Sequence, residues 1–251
     1  MARILTCGFE DGSIGGSGFQ VASGVVVSSL QKRTGSYSAY IDNVSDSASF
    51  YLPVARQELY VRFGVYPVGS NGGNCRLMGM FNFSDVGARH LTFGAWYGSR
   101  QLQVYRGRGD TAGTLLAAGG FLADASWNCV ELYVKIANSS GRFVCKLNGD
   151  ITIDYTGDTC NTALESVYFI DIAHSWGGEN LILTGYYDDI AINDTTGSVN
   201  NSWIGQGGVY LCPISGAGTV TGMTPSAGSN YACVDEVPAS DTDYVSSADV
   251  A

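Results

Sequence analysis

Apolar and polar residues alternate with period two along most of this chain, and no long stretch follows the 3.6-residue period of a helix. Leu59, Val61, Phe63 and Val65 alternate with Tyr60 and Arg62, and Leu102 and Val104 alternate with Gln101, Gln103 and Tyr105. The clearest unit runs from Trp127 to Tyr155. In it Val130, Leu132, Val134 and Ile136 form one row, and Glu131, Tyr133 and Lys135 point the other way. Asn138-Ser139-Ser140-Gly141 turns the chain and Phe143, Cys145 and Leu147 return. Asn148-Gly149 is a strong hairpin signal because both residues tolerate positive φ. Antiparallel sheets with one buried face and one wet face read this way. The expected core is Val130, Leu132, Val134, Ile136, Phe143, Leu147, Phe169 and Ile190.

A chain of 251 residues fits one large β-domain. No apolar run approaches the roughly 18–20 residues that span a bilayer. Met1 to Thr6 enters a strand directly and lacks the apolar core of a secretory signal, so synthesis and folding in a cytoplasm are expected. The seven cysteines include no Cys-x-x-Cys pair, which predicts reduced, mostly buried thiols. A turn centred near Ser139-Ser140 sets Cys145 opposite Val134, too far along the strand from Cys129 for a disulfide.

Charge is uneven. The net charge is −10, and Lys146 is the last basic residue. The acidic remainder opposes nucleic acid and anionic membrane, and suits a basic protein partner, divalent cations or simple solubility. Composition also shifts after Asp194. The stretch from Ser215 is rich in Gly, Ser, Thr and Asp and hardly alternates, so it cannot bury enough apolar surface to offset its ordering. The expected division is a β-domain over 1–196 and a C-terminal arm over 197–251.

Acidic strand ends open and close the β-region, at Gly8-Phe9-Glu10-Asp11-Gly12 and at Gly185-Tyr186-Tyr187-Asp188-Asp189-Ile190. Together with the Trp127 hairpin and its Leu147-Asn148-Gly149 turn, they resemble the concanavalin A-like (laminin-G-like) jelly rolls. That resemblance implies an all-β, two-sheet antiparallel jelly-roll sandwich whose first and last strands adjoin, followed here by an extended arm. A second resemblance is to bacteriophage structural proteins. It lies in Asp188 to Gly197, Asn200-Asn201-Ser202-Trp203-Ile204-Gly205, Thr224 to Glu236 and Asp241-Thr242-Asp243-Tyr244-Val245. It implies a virion component, whether capsid decoration, head fibre or tail part.

No enzyme chemistry is legible. The glutamates do not fall at the Glu-x-Asp-x-x-Glu spacing of related glucanases, and glycoside cleavage needs two carboxylates about 5–10 Å apart. His90 and His174 lie in no nucleophile context. The Gly-rich stretches at 12–16 and 69–73 do not lead into a helix, so they are turns and not phosphate cradles. Glu10, Asp11, Asp188 and Asp189 resemble the positions at which related jelly rolls hold a structural calcium. Capping of turns and acceptance of backbone N–H groups is the other reading of these acids. Trp96, Tyr97 and Trp176 are candidates for stacking on sugars, against packing in the sandwich.

The expected function is a non-enzymatic virion protein, made in the host cytoplasm, that contacts other virion proteins and forms homo-oligomers. No cofactor is required. The arm would dock through Tyr231, Val234 and Tyr244, with Asp235, Glu236, Asp241 and Asp243 facing basic groups on the partner. Recognition of host surface glycans is the alternative function, and a polysaccharide hydrolase with an unrecognised site is the second.

Overall fold

The structure is a computed structural model. It describes residues 3–16, 18–43, 45–71, 77–86, 88–109, 112–172 and 182–211, and from the C-terminal stretch 224–226, 228–229, 233 and 245–246. Two compact units divide it, Met1–Val209 and Tyr210–Ala251. Among the described residues there is no α-helix.

Two antiparallel sheets form the first unit. One runs in the order β2 (Val21–Ser23), β5 (Ser47–Arg56), β14 (Val167–Ile172), β7 (Leu77–Ser84), β8 (Arg89–Trp96), β9 (Gln101–Arg106) and β10 (Thr114–Phe121). The other centres on β15 (Ile182–Asp194) and continues through β6 (Glu58–Asn71), β11 (Asn128–Lys135), β12 (Gly141–Leu147) and β13 (Asp150–Gly157). On its far side β15 pairs first with β4 (Ser38–Ile41) and then with β1 (Arg3–Cys7), and β3 (Val26–Ser28) lies outside β4. A single parallel bridge, Ile182 to Gly79, links the sheets.

The alternating apolar rows meet between the two layers. Phe63 of β6 stacks on Phe81 of β7 with ring centroids 4.1 Å apart, and Phe93 of β8 meets Phe143 of β12 at 5.5 Å. Val130, Leu132, Val134, Ile136, Phe143 and Ile190 are fully buried, as expected, and Leu147 packs partly buried against them. Phe169 is a correction. Its neighbours Ile170 and Ile172 turn inward instead, so Phe169 sits on the outer face, 5.4 Å from the Tyr51 ring, and lines a cavity of about 40 Å³.

The Asn148-Gly149 turn has φ of 53° and 100°, as that dipeptide predicts. The preceding turn is set differently from the expectation. Cys145 lies opposite Leu132, two residues nearer Cys129 than Val134 is, and both thiols are free and buried. First and last strands do adjoin, with Leu5 opposite Ile192 and Cys7 opposite Ile190. Residues 197–209, read from the sequence as the start of the arm, lie within the first unit and bond to its sheet. In the second unit, Thr224–Pro225 pairs with Val245–Ser246.

Candidate functional site

The outer face of the β15 sheet is crossed by three rows of side chains, because registered strands place alternate residues side by side. One row is Tyr60, Tyr133, Val144 and Asp154. Beside it run Glu58, Lys135 and Arg142 on one flank, and Arg62, Glu131 and Lys146 on the other. Tyr60 and Tyr133 lie 4.9 Å apart, ring to ring, and the Trp203 indole meets Tyr60 edge-on at 5.3 Å. These three rings, with Arg142, Val144 and Ile151, line a groove of about 230 Å³.

Trp203 reaches this groove on a strap, residues 203–209, laid across the sheet. The Gly205 N–H donates to Glu131 at 2.7 Å, and its carbonyl accepts from Arg62 at 3.4 Å. The Gly207 carbonyl accepts from the Arg33 guanidinium at 2.7 Å, and the Val209 N–H donates to Asp189 at 2.5 Å. Lys146 adds a clamp from the sheet, its ammonium 3.9 Å from the Trp203 ring centre.

The groove's charges are paired. Arg142 holds Asp154 with both prongs of its fork, Nε at 3.1 Å and Nη2 at 2.9 Å, and the two side chains are 48% and 44% exposed. The bonds from Arg142 hold the Asp154 carboxyl below the usual carboxylate range, and the same pairing raises Arg142. Lys135 meets Glu58 at 3.2 Å. Burial, reinforced by the Glu58 carboxylate, pushes the Tyr133 phenol up to about 12. Tyr133 is therefore a neutral ring with a polar tip at every physiological pH.

The acids singled out by the sequence all lie elsewhere, and most serve one loop, 29–37, between β3 and β4. Glu10 accepts from the N–H groups of Ser36 at 2.7 Å and Tyr37 at 3.2 Å. Asp188 accepts from the Arg33 N–H at 2.8 Å and the Thr34 N–H at 3.3 Å. Asp189 takes the Arg33 guanidinium at 2.6 Å and the Thr34 hydroxyl at 2.5 Å. Asp11 stays local, accepting from the N–H and hydroxyl of Ser13. The backbone prepares this node. Register with β6 slips between Asp188 and Ala191, Asp189 has φ of 54°, and β15 changes partner there from β4 to β1. Gly64 leaves room for the Arg33 stem, since a Cβ there would stand 2.7 Å from Arg33 Cδ. Burial, then the neighbouring Asp189 charge, pushes Asp188 up to about 7. Among the described residues, no group of three or more His, Cys, Asp or Glu side chains is set to hold a metal ion.

Of the predicted sugar-stacking residues, Trp96 ends β8 partly buried, and Tyr97 follows it in a turn, 55% exposed. Neither lines the groove. Trp176 and the arm residues Tyr231, Val234, Asp235, Glu236, Asp241, Asp243 and Tyr244 lie outside the described residues. The groove itself escaped the sequence reading. Tyr60, Tyr133 and Lys135 were legible as outward residues, but their lateral neighbours depend on register.

No protein-family model matches the chain, and neither does any curated protein. Solved structures do match. Domain 4 of AbnA, a GH43 extracellular arabinanase from Geobacillus stearothermophilus, solved with arabinotriose, is 13% identical, with a TM-score of 0.51 over 77% of this chain and 93% of that one. Cellulose induced protein is 14% identical, with a TM-score of 0.53 over 81% and 100%. A conserved carbohydrate esterase from Shiga toxin-encoding bacteriophage phi24B is 16% identical, with a TM-score of 0.53 over 77% and 99%. The fold is a two-sheet jelly-roll sandwich. Identities this low carry the likeness no further than the fold.

Proposed function

We propose that this chain is a glycan-binding domain and that the groove of Tyr60, Tyr133 and Trp203 is its site. One observation carries the reading: three aromatic rings, from β6, β11 and the 203–209 strap, converge beside an exposed, forked Arg142–Asp154 pair. Ring faces pack against the C–H faces of sugars, and charged pairs exchange hydrogen bonds with their hydroxyls. At about 230 Å³ the groove is smaller than the roughly 300–1,000 Å³ clefts that enclose drug-sized ligands, and it suits a short stretch of glycan laid across an open face. The sugar-related proteins among those sharing the fold support the same direction.

The proposed role is binding without cleavage. Of the carboxylates on the groove's rows, Glu58 and Asp154 are each tied to a cation and Glu131 is buried, accepting the Gly205 N–H of the strap, so none is placed as a general acid or base. The likeness of the 188–205 and 224–245 segments to phage structural proteins supports a virion setting, with the ligand on the host surface.

A glycan array followed by titration of the hits tests the reading. The wild-type chain should bind, and Tyr133→Ala and Trp203→Ala should each weaken binding at least tenfold with the fold retained by circular dichroism. Binding that ignores both substitutions would remove the site, and a blank array would remove the function.

A further inference from the structure

The groove also carries information about which glycan it takes, given the glycan reading above. Two of its cations are matched by carboxylates and a third is held against a ring. Arg142 is spent on Asp154 through Nε and Nη2, Lys135 on Glu58, and Lys146 lies over the Trp203 ring. A ligand carboxylate entering here would come close to the Asp154 and Glu58 carboxylates on the rows beside the groove, and like charges brought together select against a partner.

What remains open is a donor and an acceptor side by side. Guanidinium has five N–H groups, and among the described residues the Asp154 contacts leave the Nη1 pair of Arg142 unused. Each Asp154 oxygen keeps a lone pair after accepting one bond. A hydroxyl both donates and accepts, so two hydroxyls on adjacent ring carbons match this pair, one accepting from Arg142 and the other donating to Asp154.

We infer that the groove selects a neutral sugar, read through two adjacent hydroxyls by Arg142 and Asp154, and discriminates against uronic acids. Tyr60, Tyr133 and Trp203 supply the stacking surface, and the ion pair supplies the choice.

The test sets neutral oligosaccharides against uronate counterparts of equal length: galactan with galacturonan, mannan with mannuronan, and glucan with glucuronan. Affinities of the full chain are measured at fixed ionic strength. In each pair that binds, the neutral member should be at least tenfold tighter. Asp154→Asn frees the Arg142 fork for a ligand carboxylate, so it should weaken the neutral member and strengthen the uronate, narrowing the preference to threefold or less. Asp154 is exposed, so the variant is expected to fold, and its thermal melt confirms this. Tighter uronate binding by the wild type, or an unchanged preference in Asp154→Asn, overturns the inference and leaves the glycan reading standing. No binding in any pair removes both.

Discussion

Asp189 and Asp154 each hold an arginine, at 2.6 Å and 2.9 Å, on one sheet of one sandwich. Their surroundings separate them. The Asp189 side chain is 0% exposed and its carboxylate also takes the Thr34 hydroxyl and the Val209 N–H, so it ties loop 29–37, strand β15 and the strap together. Asp154 stands 44% exposed and keeps acceptor capacity beyond Arg142. A desolvated carboxylate whose bonds are taken up by its own chain is architecture. An exposed one with spare lone pairs beside aromatic rings is available to a ligand. The sequence flagged the first kind, because paired acids at strand ends are conspicuous, and passed over the second.

The largest expected effect breaks the buried side of this comparison. Asp189→Ala removes the carboxylate that the Arg33 guanidinium, the Thr34 hydroxyl and the Val209 N–H share, and leaves the Arg33 charge only the neutral Gly207 carbonyl. Removing one partner of a buried ion pair costs about 3–5 kcal/mol, read as a drop in the urea midpoint at constant slope. Loss of less than about 1 kcal/mol would mean that water satisfies the node and that it is not buried in solution.

Asp188 gives the next effect, through pH. Its native carboxyl is raised to about 7 from the ordinary 3.8. Between those values the native state keeps a proton that the unfolded chain has released. This group's contribution to stability is therefore greatest in acid, falls as pH rises through the window, and levels off above about 7. The slope is at most about 1.4 kcal/mol per pH unit. Urea midpoints from pH 4.5 to 7.5 should show this decline relative to Asp188→Asn, which carries no such proton. Parallel curves for the two proteins would place the Asp188 carboxyl in its ordinary range.

The sandwich was legible because period-two alternation constrains each strand separately. Val130 to Ile136 could be placed inward without knowing what lay opposite. Phe169 was misplaced for the same reason: Val167, Phe169, Ile170 and Ile172 offer apolar residues on both parities, and only packing against β5 and β7 chooses between them. The groove needed more than parity. Tyr60 and Tyr133 are 73 residues apart in sequence and meet only because β6 and β11 register residue for residue. Trp203 comes from a Gly-, Ser- and Asn-rich stretch with no alternation, whose path is fixed by bonds to Glu131, Arg62, Arg33 and Asp189.

Trp203→Ala sharpens the exposed side. It removes one wall of the groove, the edge contact to Tyr60 and the cation–π contact from Lys146, but none of the backbone bonds that anchor the strap. Glycan binding should fall at least tenfold, about 1.4 kcal/mol of binding free energy. The stability loss should stay near 1 kcal/mol, because the ring is half-buried on a wet face. A loss approaching that of Asp189→Ala would mean that the ring, and not the carboxylate node, holds the strap down.

The smallest effect is the most diagnostic of the comparison. Asp154→Asn deletes the charge that Arg142 faces, in the same kind of pair as Arg33 and Asp189, but in water. An exposed ion pair typically contributes about 0–1 kcal/mol, because solvent solvates both partners once they separate. The urea midpoint of Asp154→Asn should therefore stay within about 0.5 kcal/mol of wild type, while its glycan preference moves severalfold. A double-mutant cycle with Arg142→Gln separates the two quantities, since it reads the coupling in the free protein and then in the glycan-bound one. Small coupling without ligand and larger coupling with it would show that the glycan recruits the pair. Equal coupling in both states would make Arg142–Asp154 a cross-strand brace between β12 and β13, and the aromatic rings would then carry recognition alone.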